Sequence, residues 1–517
     1  MAVENIVTYV ISNQTDFRSM REQLESNFSL IARKPSHFIQ DYYDTFDWRL
    51  YQNNLMFVRE ANWYKLCEIL SETPIDTFED SRIRSCKFWW DFPSGSFRDR
   101  LRAIIDVRAL LKVINLDRTM TAIHVLNKDD KTVLRIVLNE LVLIQGDGRQ
   151  TAIYLMSIVP LRGYVTEHEN FLAFIDSLGF AQKVANPLSA ILETLNIQVG
   201  SYTSKINIHL DPSMRADVAI KMILRNLLTV LQQNEAGICD DIDTEFLHDF
   251  RVSVRRTRSV LSQIKEVFNP ELTDRFRIDL KNLGDLTNRM RDLDVYLLNE
   301  RKYRAILPKS LREGLSTFFE HLGRERHQEH ARIVDYFMST PYKELTAFWQ
   351  NFVDSPESEP DQLALRASVP IIVLAKELIY ERYLKLIQAG QKIGDRTSDA
   401  KLHKLRIQCK KLRYLLEFFA SLFPKELIML LMTRLKSIQG ILGEYNDYSV
   451  QQQKLLTVLE NEIKDDVRFP VLAAAMGGLI THLYQEQNRC RMTFSSAFTE
   501  FSSPETRQIF EDLFRHP

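Results

Sequence analysis

The sequence predicts a multi-domain α+β protein, with a strand-rich first part and an all-helical second part. Three observations predict it: a change of hydrophobic periodicity near residue 200, two polar connectors, and a basic segment that is written twice in the helical part. At 517 residues with 45% apolar content, the chain is long enough for about two to four domains with sizeable cores.

Before residue 200, the runs "IVTYVIS", "LRAIIDVRALLKVI", "MTAIHVL", "TVLRIVLNELVLI" and "TAIYLMSIV" are rich in β-branched residues and read as strands. "NKDDK" (127–131) and "QGDGR" (145–149) between them read as hairpin turns. After residue 200, "RADVAIKMILRNLLTVLQQ", "IIVLAKELIYERYLKLIQ" and "KELIMLLMTRLKSIQGIL" carry apolar residues at helical spacing with few breakers. "VGSYTSKINIHLDPS" separates the two parts, and the acidic, proline-containing "DSPESEPDQ" divides the helical part in two. The chain is thus expected to divide into a β-rich domain (1–177), a linker (178–210), a first helical repeat (211–353), a connector (354–362) and a second helical repeat (363–517).

The repeat is carried by "HDFRVSVRRTR" from His248 and "HKLRIQCKKLR" from His403, 155 residues apart. Basic residues recur three, seven, eight and ten positions after the histidine: Arg251, Arg255, Arg256 and Arg258, then Arg406, Lys410, Lys411 and Arg413. In the same register Lys281 matches Lys436 and Asp292 matches Asp447. On an α-helix the histidine and the cations at three, seven and ten fall within an arc of about 80°. Phe250, Val254, Leu261 and Ile264, and Leu405, Cys409, Leu412, Leu416 and Phe419, take the opposite face. No carboxylate occurs from Phe250 to Lys265 or from Lys401 to Leu416, so the cations lack the acidic partners one turn away that a solvated helix usually carries.

Bulk charge excludes a whole-molecule field that would draw nucleic acid or a membrane: 67 Lys+Arg oppose 68 Asp+Glu, for a net charge of −1. Any polyanion site is therefore local. Five scattered cysteines without a C-x-x-C pair argue against a disulfide framework and a cysteine zinc site, and fit a reducing, cytosolic setting. No apolar run is long enough to span a bilayer, and no basic start followed by an apolar run marks export. Cys67 and Cys409 have no evident base, and no Walker loop, G-x-S-x-G or H-E-x-x-H pattern is present. His327 and His330, one turn apart in "HLGRERHQEH", have metal-ligand spacing without a cysteine or carboxylate cluster beside them.

"H-x-x-R-V-x-x-R-R-x-R" followed by "G-x-L-x-x-R-x-R-D-L-D-V", with "H-x-x-R-I-x-x-K-K-x-R-Y" followed by "L-G-x-x-N-D", resembles the CHAD domain, the conserved histidine α-helical domain, from about Asp211 to about Phe510. The resemblance implies two helical bundles related by a pseudo-twofold axis, with basic residues of both halves lining one central groove. It further implies inorganic polyphosphate as partner, a cytoplasmic place at polyphosphate granules, and no catalytic activity or cofactor. Carried over by position, the candidate ligands are His248, Arg251, Arg255, Arg258 and Lys281, with His403, Arg406, Lys410, Arg413 and Lys436. The chemistry fits: a polyphosphate has no bases to read, so a track of guanidinium and ammonium groups suffices. The basic faces lack interleaved aromatics for base stacking, which argues against nucleic acid.

In the first part, "DYYDTFDWRLYQNNLMFVRE" (Asp41 to Glu60) is similar to a signature of CYTH domains, the triphosphate tunnel proteins. That resemblance implies an antiparallel β-barrel or tunnel, in which glutamates hold a divalent metal and cations bind triphosphate. Here "ENIVTYVIS" and "TAIYLMSIVPL" lack the carboxylates that a hard cation needs, so neither a metal site nor catalysis is expected. Arg59, Lys65, Arg108 and Lys112 remain as cations at tunnel positions. The alternative is a metal-dependent triphosphatase to which the helical part delivers polyphosphate.

Overall fold

The computed structural model describes residues 6–70, 72–80, 86–144, 150–179, 181–356, 361–394, 397–461 and 469–515, in two compact units, Met1–Thr203 and Ser204–Pro517. Among the described residues no helix is long and apolar enough to cross a membrane.

The first unit is a ten-stranded antiparallel sheet: β1 (Val7–Ile11), β2 (Ser29–Ala32), β3 (Ser36–Asp44), β4 (Leu55–Glu60), β5 (Trp63–Glu68), β6 (Pro74–Glu79), β7 (Leu111–Leu126), β8 (Thr132–Ile144), β9 (Gln150–Pro160) and β10 (Ala181–Val184). Their order is β10-β1-β9-β8-β7-β3-β4-β5-β6, with β2 also on β7. Helices α1 (Gln14–Asn27), α2 (Arg49–Gln52), α3 (Ser96–Ile105), α4 (Val165–Leu178) and α5 (Pro187–Thr194) complete the unit.

The "NKDDK" turn forms as the sequence predicts. The Asn127 N–H donates to the Lys131 carbonyl at 3.0 Å, the Asn127 side chain accepts from the Asp129 and Lys131 amides, and Asp130 takes a left-handed φ of 57°. The "QGDGR" turn lies outside the described residues.

Two expectations are corrected. "LRAII" is the end of helix α3, because Phe97, Leu101 and Ile105 recur at helical spacing and are buried together. The stretch 178–210 is not a plain linker. It contains β10, which pairs with β1, and α5, whose first turn is capped by the Asn186 side chain accepting from the Ser189 amide at 3.1 Å. β10 is only four residues long, too short to show alternation.

The second unit is helical: α6 (Ala216–Cys239), α7 (Thr244–Gln263), α8 (Pro270–Leu298), α9 (Glu300–Ile306), α10 (Ser316–Met338), α11 (Thr340–Asp354), α12 (Ile371–Gly390), α13 (Asp399–Phe418), α14 (Lys425–Asn461), α15 (Phe469–Phe501) and α16 (Pro504–Phe514). The 155-residue register of the sequence repeat is also the register of the fold: α12 starts 155 residues after α6 (371 − 216), α13 after α7 (399 − 244) and α14 after α8 (425 − 270).

A pseudo-twofold axis relates the copies. The Ala216 amide donates to the Val369 carbonyl at 2.9 Å, and the Ile371 amide donates to the Met214 carbonyl at 2.8 Å. In the 155-residue register each of these bonds is the mate of the other, and the bridge between Arg215 and Pro370 joins equivalent positions. Leu293, Tyr303, Leu315 and Phe318 of the first copy share a core with Leu455, Leu472, Met476 and Leu483 of the second.

Candidate anion-binding groove

Helix α7 is started by Asp243, whose carboxylate accepts from the Glu245 and Phe246 amides, and it packs against α6 where Gly237 leaves room for the Phe246 ring. Phe250, Val254 and Leu261 are buried, as are Leu405, Cys409, Leu412 and Leu416 of α13, so the apolar faces lie as expected and the cations point away from the cores. The two helices meet. Arg256 of α7 donates to Glu417 of α13 at 2.9 Å, and the Gln263 amide reaches the Lys411 carbonyl at 3.5 Å.

Beside this contact lies a groove of about 690 Å³, whose lining includes Arg255, Arg258 and Lys281 of the first copy with Lys410, Lys411 and Tyr414 of the second. Burial, with Arg406, Arg255 and Arg413 close by, pulls the Lys410 ammonium down to about 8, against the opposing pull of Asp447. Arg255 and Lys410 hold the same position in their respective repeats, so the axis brings equivalent cations within each other's field. None of Arg255, Arg258, Lys281 and Lys410 has a carboxylate partner among the described residues.

The remaining candidates are placed differently. Arg251 donates to the Gly284 carbonyl at 2.9 Å, to Thr287 Oγ1 at 2.6 Å and to Asn288 Oδ1, all on α8. Burial, together with Arg255 and Arg291, pulls it down to about 10. Arg406 sits 3.6 Å from Asp447, and His403 meets the Asn446 side-chain oxygen at 2.6 Å. His248 is half-buried, and Lys436 is exposed on α14 and is not among the described lining residues. The matched aspartates therefore accompany the arginines that open each motif: loss of solvent pushes the Asp292 carboxylate up, against the pull of Arg251 and its neighbours.

Arg413 is the clearest departure. Its Nε donates to Glu417 at 2.6 Å and its Nη1 to Gln439 at 3.3 Å, so it braces α13 against α14 and does not reach the groove as a free cation. At the positions of Glu417 and Gln439 its mate Arg258 has Ser262 and Gly284, which offer no side-chain carboxylate or amide. A β-carbon on Gly284 would stand 3.3 Å from Arg258 Nη1. One repeat position therefore has a tied arginine in one copy and an available arginine in the other.

In the first unit, alternate residues of β3, β4, β5 and β7 share one sheet face and line a cavity of about 210 Å³. Its charges are paired: Lys65 with Glu60 at 3.0 Å and Arg118 with Glu72 at 3.3 Å. Of the four cations read from the sequence, only Lys65 lines this cavity. Arg108 is fully buried and lies 3.6 Å from Asp47, Lys112 pairs with Asp41 at 3.1 Å, and Arg59 stands over the Tyr64 ring. Arg118 escaped the sequence reading, although its alternation with Met120 on β7 was visible.

His330 Nε2 bonds the Ile238 carbonyl at 2.8 Å and so serves packing rather than a shared metal with His327. Burial pushes the thiols of Cys67 and Cys409 up to about 11 and about 12, which leaves neither as a nucleophile at neutral pH.

The doubled helix, the pseudo-twofold axis and the shared groove agree with the match of residues 222–456 to the family model of the CHAD domain. Over those residues the helical unit matches a CHAD domain. Similar solved structures include the crystal structure of the CHAD domain from the plant Ricinus communis, 22% identical with a TM-score of 0.48, covering 58% of this chain and 97% of that one. PptA from Streptomyces chartreusis is 16% identical with a TM-score of 0.45, covering 55% of this chain and 100% of its own. No curated protein matches the chain. The CHAD match begins within α6 and ends within α14, so it takes in both basic helices, α7 and α13.

Proposed function

We propose that this chain binds inorganic polyphosphate in the CHAD groove without hydrolysing it, in the cytosol at polyphosphate granules. The observation that carries the reading is that Arg255 and Lys410, equivalent across the pseudo-twofold axis, line one groove, and neither forms an ion pair with a carboxylate among the described residues. Like charges that share a groove favour a polyanion as ligand. An inorganic chain meets the need without base recognition, and Tyr414 is a single aromatic at the groove's side rather than a stacking platform.

Binding is expected to be salt-sensitive. Neutralising about six phosphates of a flexible chain gives a slope of about 4 in log Kd against log salt. It is also expected to weaken as pH rises through about 8, because Lys410 loses its proton there and the polyanion must restore it. The sign for the free protein is opposite. Lys410 titrates below the ordinary lysine value of roughly 10.4, so its share of stability increases with pH between about 8 and that value. Titration with long-chain polyphosphate at several salt concentrations and pH values, beside Lys410→Arg and a single-stranded DNA control, tests the reading. A flat salt profile or equal affinity for DNA rejects it.

The first unit supports a non-catalytic role, since Glu60 and Glu72 on its cavity face are each engaged with a cation and a divalent metal needs several free oxygen ligands. Full-length protein with tripolyphosphate and Mg²⁺ or Mn²⁺ is expected to release no more phosphate than a mock purification. Release that a chelator abolishes would establish the triphosphatase alternative instead.

A further inference from the structure

The groove is not symmetric about the axis that creates it. On one side its lining continues past Arg258 and Lys281 to Arg277 of α8 and Lys411 of α13. Lys411 lies against α12: Arg382 donates to Gln408, one turn before Lys411, at 2.8 Å, and Arg382 Nε is buried with no acceptor among the described residues. Arg277 and Lys411 line the groove together, and Lys385 stands one turn after Arg382 on the same helix; burial, with Arg382, Arg277 and Lys385 nearby, pulls the Lys411 ammonium down. Two exposed carboxylates oppose them, Asp274 beside Arg277 and Glu381 beside Lys385, and solvent-exposed pairs of this kind hold their partners weakly.

The pseudo-twofold mates of these four positions carry no available charge. Arg277 corresponds to Met432, Arg382 to Leu227 and Lys385 to Val230. Lys411 corresponds to Arg256, which is locked to Glu417. A cationic flank built from α8 of the first copy and α12 and α13 of the second therefore has no counterpart across the axis, and Arg277 and Lys411 join it to the groove.

We propose that Arg277, Lys411, Arg382 and Lys385 form a one-sided arm of the groove, which holds the part of a polyphosphate chain that extends beyond the Arg255–Lys410 centre. The arm rests on the polyphosphate reading and adds to it a path and a length preference. Long chains leave the groove over α12, while short phosphates stay at the centre and never touch the arm.

The test uses full-length protein and the variant Arg382→Gln with Lys385→Gln, titrated with tripolyphosphate and with long-chain polyphosphate over a range of salt. Tripolyphosphate affinity is expected to be unchanged. Long-chain affinity is expected to fall, with the salt slope reduced by about 0.7 for each phosphate no longer neutralised. Lys385→Gln alone, at an exposed position, gives the same reading should the Arg382 substitution impair folding. Unchanged long-chain affinity and slope, or an equal drop for both ligands, overturns the arm. Failure of the unaltered protein to bind long-chain polyphosphate rejects the reading on which the arm rests. Equal binding of single-stranded DNA, with the same reduction of slope in the variant, would make the arm a general polyanion surface and overturn its assignment to polyphosphate.

Discussion

Replacing Arg255 and Lys410 together by glutamate is expected to lower the affinity for long-chain polyphosphate on the order of a hundredfold, from two charge-assisted contacts at roughly 1.5 kcal/mol each. Each single reversal is expected to cost about as much as the other, because the two side chains hold equivalent positions on either side of the pseudo-twofold axis and face the same groove. Their linkage also matters. A chain held by one copy presents its next phosphates to the other at high local concentration, so removing either half removes the gain from joining them. Arg255 is exposed, and Lys410→Glu places its carboxylate beside Arg406 and Arg413. If long chains ignore Arg255→Glu while Lys410→Glu abolishes binding, and both variants keep their helical circular dichroism, the two copies do not share a ligand.

The helices that build the groove were legible in the sequence, because burial dictates an apolar stripe and the stripe recurs with its cations in a fixed register. Helix starts at Ala216 and Ile371, Thr244 and Asp399, and Pro270 and Lys425 obey that register without a gap. What the cations do was only half legible. Arg251 and Arg406 share the helix face of Arg255 and Lys410, yet groups on α8 and α14 hold them, and the partners of a side chain on a neighbouring helix leave no periodic signal. Arg413 did have a readable warning: Glu417 stands one turn after it, one residue beyond the stretch free of carboxylates. Repetition marks only what both copies share. Arg277, Arg382 and Lys385 have no charged mates and so drew no notice, although departures from a repeat are where a symmetric scaffold acquires direction. In the first unit, strand alternation marks one face but not which cations face the cavity, and Arg108 instead sits in a buried pair with Asp47.

Asp294→Ala is expected to destabilise the helical unit by about 1–3 kcal/mol, the cost of leaving the Arg326 Nε–H buried without its acceptor while Asp241 keeps the terminal nitrogens. Arg326 on α10 donates to Asp294 on α8 through Nε at 2.7 Å and, through both terminal nitrogens, to Asp241 at 2.8 and 2.6 Å. Asp241 follows α6 with a left-handed φ of 48°, where the Ile242 amide bonds the Gly237 carbonyl and closes the helix end. One guanidinium thus joins three helices of the first copy. Held between two carboxylates, it stays charged at any working pH. The second copy has the uncharged Ser449 at the position of Asp294, on α14. The side chain of Asp294 is 0% exposed, and water cannot replace it as an acceptor without opening the core. The pair Asp294→Leu with Arg326→Met should cost less than the sum of its single changes, since it removes the Nε donor together with its acceptor and leaves only the more exposed Asp241 unpaired. Urea unfolding followed by far-ultraviolet circular dichroism compares these proteins. A double variant as unstable as the sum of its single changes, or an Asp294→Ala protein that unfolds at the same urea concentration as the unaltered chain, would show that Arg326 does not hold these helices together.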